Sequence, residues 1–279
     1  MTQYWLPSHW KAAAYKSGKL DFSSLRNESS IQAQGWLTQN VNHSTSGEYT
    51  THPFLAINNA NYPTLLAKVP YAPPVLFYMG NIQLLQERKI AIVGTRHATA
   101  TGRDLATQYA QTVTNTGYVT ISGLAYGIDE MVHLAAPART IGVLGHGLAH
   151  PYNWHQRQLI ETIIKHNGLI ISEFNPKVPP RRWTYLQRNR VIAWLCEQLI
   201  LVEAPIGSGA LNTVHHAILQ QKPIWVVPWD PHWLSGRGCL QLIEAGAPLV
   251  TDSKDLQEKI KLAETMPRTA KFFDENLLL

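Results

Sequence analysis

The feature that most restricts the fold is a regular alternation of short apolar runs with helical patterns, which begins near residue 88. Amphipathic periodicity typical of helices fills stretches between the runs, including 102–116, 154–166 and 210–220. Strand and helix repeated this many times predict a mostly parallel sheet with helices on both faces, that is, a doubly wound, Rossmann-like α/β fold. The apolar runs, each suited to a buried strand, are KIAIVG (89–94), YVTISG (118–123), TIGVLG (140–145), LIISE (169–173), LILVEA (199–204) and PIWVVP (223–228).

The 279 residues divide into four parts, since this length suits one main domain with smaller additions. Residues 1–61 are rich in Ser, Asn, Gln and Thr and lack strand alternation, which predicts a small helical N-terminal domain. Residues 62–87 hold four prolines, which predict an extended connector packed on the main domain. The Rossmann-like domain is expected to span 88–252, and a C-terminal helix and tail are expected over 253–279.

The composition narrows the class of protein. Hydrophobic content of 45% with 15% charged residues indicates a globular chain with an ample core. The two cysteines, Cys196 and Cys239, are too few for a disulfide framework, so a reducing compartment is expected. The start, MTQYWLPSHW, lacks the pattern of a secretory signal, and no apolar run approaches the roughly 20 residues that a membrane span needs. We therefore expect a soluble, cytoplasmic protein without a membrane partner.

Positive charge is concentrated in one segment. The net charge is +5, and residues 177–190 contain five basic residues and no acidic one, with Trp183 and Tyr185 among them. Focused positive charge attracts anions, and adjacent aromatic rings favour a flat ligand, such as a nucleic acid or a nucleotide. For this segment in isolation, a solvated helix start above buried aromatic side chains is the alternative.

Glycine-rich loops follow four of the predicted strands, at the edge where open parallel sheets bind ligands. Glycine lets a backbone N–H approach a phosphate, and the following helix N-terminus adds a favourable dipole. A single such loop is more often only a tight turn, but several at one edge, with Arg96 among them, favour an anion site. The loops are 94–96, 122–129, 145–147 and 207–213.

No catalytic or metal-binding pattern stands out in the sequence. There is no GxxxxGK[ST], HExxH or CxxC motif, and a lone GxG at 145–147 is weak. Asp129 is expected to cap the helix that follows it. Glu173 and Glu203 each end a strand and are the best acid–base candidates, but neither has an evident nucleophile beside it. We therefore expect no enzyme activity, no cofactor and no metal.

Taken together, these motifs resemble the DNA-processing protein A (DprA/Smf) family, single-stranded DNA binders that load the RecA recombinase. This sequence departs from the family pattern at Tyr185-Leu186, where members usually have Phe-Pro. In addition, the 29 residues after Val250 are too few for the winged-helix-like domain that many members carry. The resemblance covers about Tyr62 to Val250 and rests on IAIVGTR (90–96), SGLAYGID (122–129), GVLGHGL (142–148), LIISE (169–173), RNRVIAWLC (188–196), VEAPIGSGALNT (202–213) and GCLQLIEAGAPLV (238–250).

The resemblance implies a binding site for single-stranded DNA on these loops. Tyr185 would stack on a base, and Asn189 would fix the loop or read a base edge. Carried over position by position, the phosphate contacts fall on Arg96, Arg182, Arg188 and Arg190. Backbone and hydroxyl donors would come from Ser122, Gly123, Ser208 and Gly209.

The resemblance also implies a role and two partners. The protein would protect incoming single-stranded DNA and load RecA during natural transformation, and it would form a homodimer through residues 238–250. Leu240, on a helix expected over 239–245, and Leu249, on a short edge strand, are the candidate interface residues. Packing of these leucines inside the monomer core is the alternative.

A second function class remains open from the sequence, namely a nucleotide sensor or a nucleotide hydrolase, because the same loops suit a nucleoside phosphate. The related lysine-decarboxylase-like phosphoribohydrolases use a PGGxGTxxE loop with a catalytic glutamate. The comparable loop here is IGSGALNTVHH, where His215 and His216 replace the acid. That difference counts against hydrolysis and leaves a sensor as the main alternative.

Overall fold

A computed structural model of the protein describes residues 52–69 and 72–265. The predicted helical domain at 1–61 lies almost wholly outside the described residues, and so does the predicted tail beyond residue 265. In the described part of the chain, none of the helices has the length and apolarity that a membrane crossing requires.

Eight strands in the described part form one sheet, and eight α-helices accompany it. The strands are β1 (Phe54–Ala56), β2 (Val75–Gly80), β3 (Lys89–Val93), β4 (Val119–Ser122), β5 (Thr140–Val143), β6 (Leu169–Ser172), β7 (Gln198–Leu201) and β8 (Ile224–Val226). The helices are α1 (Thr64–Ala67), α2 (Ala100–Asn115), α3 (Ile128–Ala135), α4 (Trp154–Lys165), α5 (Arg182–Leu195), α6 (Gly209–Leu219), α7 (Arg237–Glu244) and α8 (Ser253–Thr265).

The strand order across the sheet is β1-β2-β6-β5-β4-β3-β7-β8, and neighbouring strands from β6 to β8 run parallel. Every residue of β3 to β8 is buried, which explains their continuous apolar sequences, since both faces of a parallel sheet are covered. These six strands correspond to the six apolar runs, so the predicted doubly wound α/β fold is confirmed.

The connector predicted at 62–87 is extended in part, but it also contributes to the sheet. Its strand β2 pairs antiparallel with β6, and β1, which falls at the end of the predicted helical domain, pairs antiparallel with β2. The segment Val75–Gly80 contains no proline, so each of its amides is able to donate to a neighbouring strand. The single turn α1 follows Pro63, where a missing N–H does no harm to a helix.

The chain reverses its direction of travel across the sheet at β3. The strands β4, β5 and β6 follow on one side of β3, whereas β7 and β8 lie on its other side. The helices fall into two packed groups accordingly, with α2, α3, α4 and α8 in one and α1, α5 and α6 in the other. A ligand crevice is expected where the order reverses, outside the carboxyl ends of β3 and β7.

Capping side chains start two of the helices at this carboxyl edge, α2 and α4. Thr99 Oγ1 accepts a hydrogen bond from Gly102 N at 3.0 Å at the start of α2. Asn153 Oδ1 accepts from Gln156 N at 2.8 Å at the start of α4. Each cap satisfies an amide that has no partner within its own helix, and so fixes where the preceding loop ends.

Candidate functional site

A cleft of about 670 Å³ lies at the carboxyl ends of β3, β4 and β7, where the strand order reverses. We call it the basic cleft. Its walls are the loops after β3, β4 and β7 and the start of α5. The polar, charged and aromatic side chains that line it are Thr95, Arg96, His97, Asp129, Arg181, Arg182, Tyr185, Arg188, Asn189, Ser208 and Thr213.

Three arginines reach the mouth of the basic cleft. The side chains of Arg96, Arg181 and Arg182 are exposed, and the Arg96 guanidinium lies 5.3 Å from the centre of the Tyr185 ring. Tyr185 is half-buried, and Gly145 gives its ring space, since a Cβ at that position would lie 2.6 Å from the ring. The structure thus brings together Arg96, Arg182 and Tyr185 as the sequence indicated. The structure also places Arg181 at the mouth of the cleft. This residue was not among the predicted contacts, although it lies in the same basic segment of the sequence.

Arg188 forms the floor of the basic cleft and is only 4% exposed. Its Nη1 donates to the backbone carbonyls of Gly123 and Val143, and its Nε donates to Asn189 Oδ1 at 3.2 Å. Burial lowers the pKa of Arg188 to about 10, so the group remains charged at neutral pH. A buried cation held mainly by carbonyl groups is suited to receive an anion.

Arg190 is placed differently from the prediction. It is 1% exposed, forms an ion pair with Glu173 and lies 4.8 Å from the centre of the Trp194 ring. It does not line the basic cleft, so the predicted phosphate contact of Arg190 is wrong. Residues two apart on a helix do not share a face, which is why Arg188 and Arg190 point to different surroundings.

Ser122 and Gly123 are buried and use their donors inside the protein. Ser122 Oγ donates to the carbonyl of Ile92 at 2.7 Å, and Gly123 N donates to Asp129 Oδ2 at 3.1 Å. Neither therefore offers a donor to a ligand, which corrects the prediction for both. The contribution of Gly123 is space, because a Cβ there would lie 2.8 Å from the Arg188 guanidinium.

Asp129 folds the loop after β4 instead of capping α3 through its side chain. The N-cap position of α3 is Gly127, and no side chain caps this helix. The Asp129 carboxyl is buried, and burial raises its pKa while the charge of Arg188 opposes that effect. Among the described residues that line the basic cleft it is the sole acid, and it lies beside a cation.

The loop after β7 supplies the opposite wall of the basic cleft. Ser208 Oγ accepts from Ala210 N at 3.3 Å as the N-cap of α6, and Gly209 is exposed beside it. Asn189 Nδ2 donates to Gly209 O at 3.1 Å and to Asn212 Oδ1 at 3.3 Å. With its Oδ1 bonded to Arg188, Asn189 fixes the loop, which is one of the two roles that the resemblance implies for it.

The two acid–base candidates lie away from the basic cleft. Glu173 is paired with Arg190, and burial raises its pKa while Arg190 opposes that effect. Glu203 Oε2 accepts from Thr99 N at 3.0 Å and from Thr99 Oγ1 at 3.1 Å, at the start of α2. Across the described ranges, no group of three or more His, Cys, Asp or Glu side chains is arranged to hold a metal ion. The arrangement is one for binding an anion with an adjacent flat group.

Comparison with known proteins gives consistent matches. The family model of DNA recombination-mediator protein A matches residues 53–261. The DNA processing protein DprA of Bacillus subtilis (strain 168) is 36% identical over 213 residues, which cover 74% of this chain and 70% of that protein. Protein Smf of Synechocystis sp. is 37% identical over 210 residues, which cover 73% of this chain and 52% of that protein.

Solved structures agree with the sequence matches. The X-ray structure of DprA from Streptococcus pneumoniae superposes with a TM-score of 0.71 at 34% identity, covering 76% of this chain and 75% of that chain. DprA from Helicobacter pylori superposes with a TM-score of 0.68 at 25% identity, covering 77% of this chain and 99% of that chain. With a family model that covers most of its length and relatives above 30% identity, this chain belongs to the DNA recombination-mediator protein A family.

Proposed function

We propose that the basic cleft binds single-stranded DNA, with Arg96, Arg182 and Arg188 at phosphates and Tyr185 against a base. The observation that carries this proposal is the buried Arg188 guanidinium on the cleft floor, which donates to the backbone carbonyls of Gly123 and Val143. A phosphate beside this guanidinium would accept a charge-assisted hydrogen bond from it. The relative from Helicobacter pylori is described with a single-stranded DNA binding mode, which supports the same ligand here.

The preference for single strands follows from the position of Tyr185. Its ring lies inside the basic cleft beside Arg96, so a base has to leave its stack in order to reach the ring. A flexible single strand does this readily, whereas a duplex has to unpair and unstack first, which costs a few kcal/mol. Stacking on an aromatic ring is tolerant of sequence, because every base has a π-face.

We expect an oligothymidylate to bind much more tightly than a duplex of equal length or a mononucleotide. Affinity should fall steeply with salt, with a log–log slope of about −2 for three phosphate contacts to a single strand. Fluorescence anisotropy with the three ligands over a salt series measures both quantities. Equal affinity for duplex and single strand, or a flat salt dependence, would contradict the proposal.

A nucleotide sensor is the second candidate, because the basic cleft has a volume of about 670 Å³, within the range typical of small-molecule sites. The same titration separates the two functions. A sensor should bind a mononucleotide tightly and gain little from a longer strand. A strand binder should gain affinity with each phosphate and base that reaches the protein.

The proposal extends to the wider role that family membership implies. We infer that the protein works in the cytoplasm, protects incoming single-stranded DNA and loads the RecA recombinase during natural transformation. The names of the Bacillus subtilis and Streptococcus pneumoniae relatives, DNA processing protein DprA, support a role in DNA processing. RecA loading is the finer part of this proposal, and a pull-down between the two purified proteins in the presence of oligothymidylate tests it.

We also propose the homodimer, built at the β8 edge of the sheet. Leu249 forms a parallel bridge with Val226 through its backbone, and its side chain is 41% exposed. Leu240 is half-buried on α7, which begins at Arg237, two residues before the predicted start. Leu242 and Ile243 on the same helix pack against the core, so the monomer itself uses those two side chains.

Leu249→Arg should convert the dimer to a folded monomer, because a charge at this edge cannot be buried against a second copy. Light scattering measures the mass, and circular dichroism checks the fold. Leu262→Arg, a change at a 54% exposed leucine on α8, is the matched control and should leave the dimer intact. A wild-type protein that is monomeric at micromolar concentration would contradict this proposal without affecting DNA binding.

A further inference from the structure

A group of aromatic side chains lies next to the basic cleft without being part of it. Ala125 lines the cleft, and the next residue, Tyr126, is 49% exposed. The Tyr126 ring stacks on His155, with 4.5 Å between ring centres and 28° between ring planes. Trp154, beside that histidine at the start of α4, is 71% exposed. We call Tyr126, His155 and Trp154 the aromatic platform.

The aromatic platform is held in place from one side. His155 Nε2 lies 2.8 Å from Glu130 Oε1, and Glu130 belongs to the first turn of α3. The histidine, on α4, thus contacts α3 through Glu130, and its ring covers one face of Tyr126. A flat ring with one face covered and its plane already set binds a second flat group with little further loss of conformational freedom.

The chemistry of the aromatic platform favours a base over a phosphate. The ring of His155 already faces the carboxylate of Glu130. What it offers is the exposed surface of two large rings, and a nucleobase is the flat group that a strand in the neighbouring cleft would bring. Tyr126 and Trp154 follow β4 and β5 respectively, so both lie at the same sheet edge as the cleft.

We propose that single-stranded DNA leaving the basic cleft continues over β4 and β5, where flanking bases stack on Tyr126 and Trp154. This inference rests on the proposed function, because it needs a strand in the cleft. The aromatic platform thereby lengthens the binding site by stacking contacts that tolerate any base. A strand too short to reach beyond the cleft would gain nothing from it.

The test compares oligothymidylates of two lengths, about four and about sixteen nucleotides, by fluorescence anisotropy. Tyr126→Ala and Trp154→Ala should each weaken the longer one by about fivefold or more, the lower limit for one stacked base, and should leave the shorter one unchanged. Tyr126→Phe retains the ring and should bind both as the wild type does.

A third ligand separates stacking from phosphate contacts. This ligand is a long strand whose central four or so nucleotides keep their bases while its flanks are abasic. Wild type and Tyr126→Ala should bind it with equal affinity. If both alanine variants bind the intact long strand as the wild type does, or weaken both lengths alike, the aromatic platform is refuted while the cleft stands. If the wild type binds no strand of either length, the proposed function falls and this inference falls with it.

Discussion

Replacing Arg190 with methionine is expected to lower the free energy of unfolding by about 3–5 kcal/mol, because the buried Glu173 carboxylate loses its cation. The side chains of both residues are almost fully buried, at 1% and 2% exposure, so water cannot take the place of the arginine. Urea unfolding followed by circular dichroism measures the effect. The midpoint should fall while the slope with denaturant stays unchanged.

A second variant tests whether the loss of stability comes from a buried carboxylate that has no cation beside it. Adding Glu173→Met to Arg190→Met should restore most of the stability, because a buried ion pair is often replaceable by apolar side chains of similar volume. The pair is therefore expected to behave non-additively in a double-mutant cycle. If the Arg190→Met protein is as stable as the wild type but does not bind oligothymidylate, the structural role of Arg190 is contradicted and Arg190 belongs to the binding site.

The largest expected effect on binding comes from removing Arg96 and Arg182 together. Both side chains are exposed at the mouth of the basic cleft, so Arg96→Ala with Arg182→Ala should leave the fold intact. Single-stranded DNA affinity should fall by about a hundredfold, which corresponds to about 1.4 kcal/mol for each arginine. The salt slope should flatten by about 1.4, since each lost single-strand phosphate contact removes about 0.7.

The control is Lys261→Ala on α8, which removes one exposed charge near the opposite end of the sheet, where Glu264 of the same helix pairs with Arg88. It should change affinity and salt slope little. Arg188→Ala is a less clear test, because Arg188 also holds the carbonyls of Gly123 and Val143. If the double variant keeps both its affinity and its salt slope, the strand does not lie in the basic cleft.

The parallel part of the fold was predictable because its strands are buried on both faces. Such strands appear as continuous apolar runs, and β3 to β8 match the six runs. The antiparallel strands were not predicted. The partner of β2 is β6, about ninety residues further along the chain, and the intervening pattern contains no local signal of that pairing. In a proline-rich context, a short strand cannot be told from an extended connector.

The site was predictable at the level of loops and less so at the level of side chains. The carboxyl edge and the concentration of arginines near it follow from the order of elements and from the charge, whereas the choice of Arg96, Arg182 and Tyr185 came from the family resemblance. Ser122 donates to the carbonyl of Ile92 and Gly123 N donates to Asp129, and no sequence pattern reveals either bond. Arg190 is different, since helical periodicity alone separates it from Arg188 once the segment is taken as a helix.

The buried Arg188 guanidinium has a consequence for how a strand enters. Its charge is positive whether or not DNA is present, and the residue lies on the floor of the basic cleft. In cell-like solutions, an inorganic anion such as phosphate is expected to rest there between encounters. Strand entry is then an exchange of one anion for another, driven in part by the entropy of the ion that departs. Polyvalent anions should therefore compete with the strand more strongly than chloride at equal ionic strength.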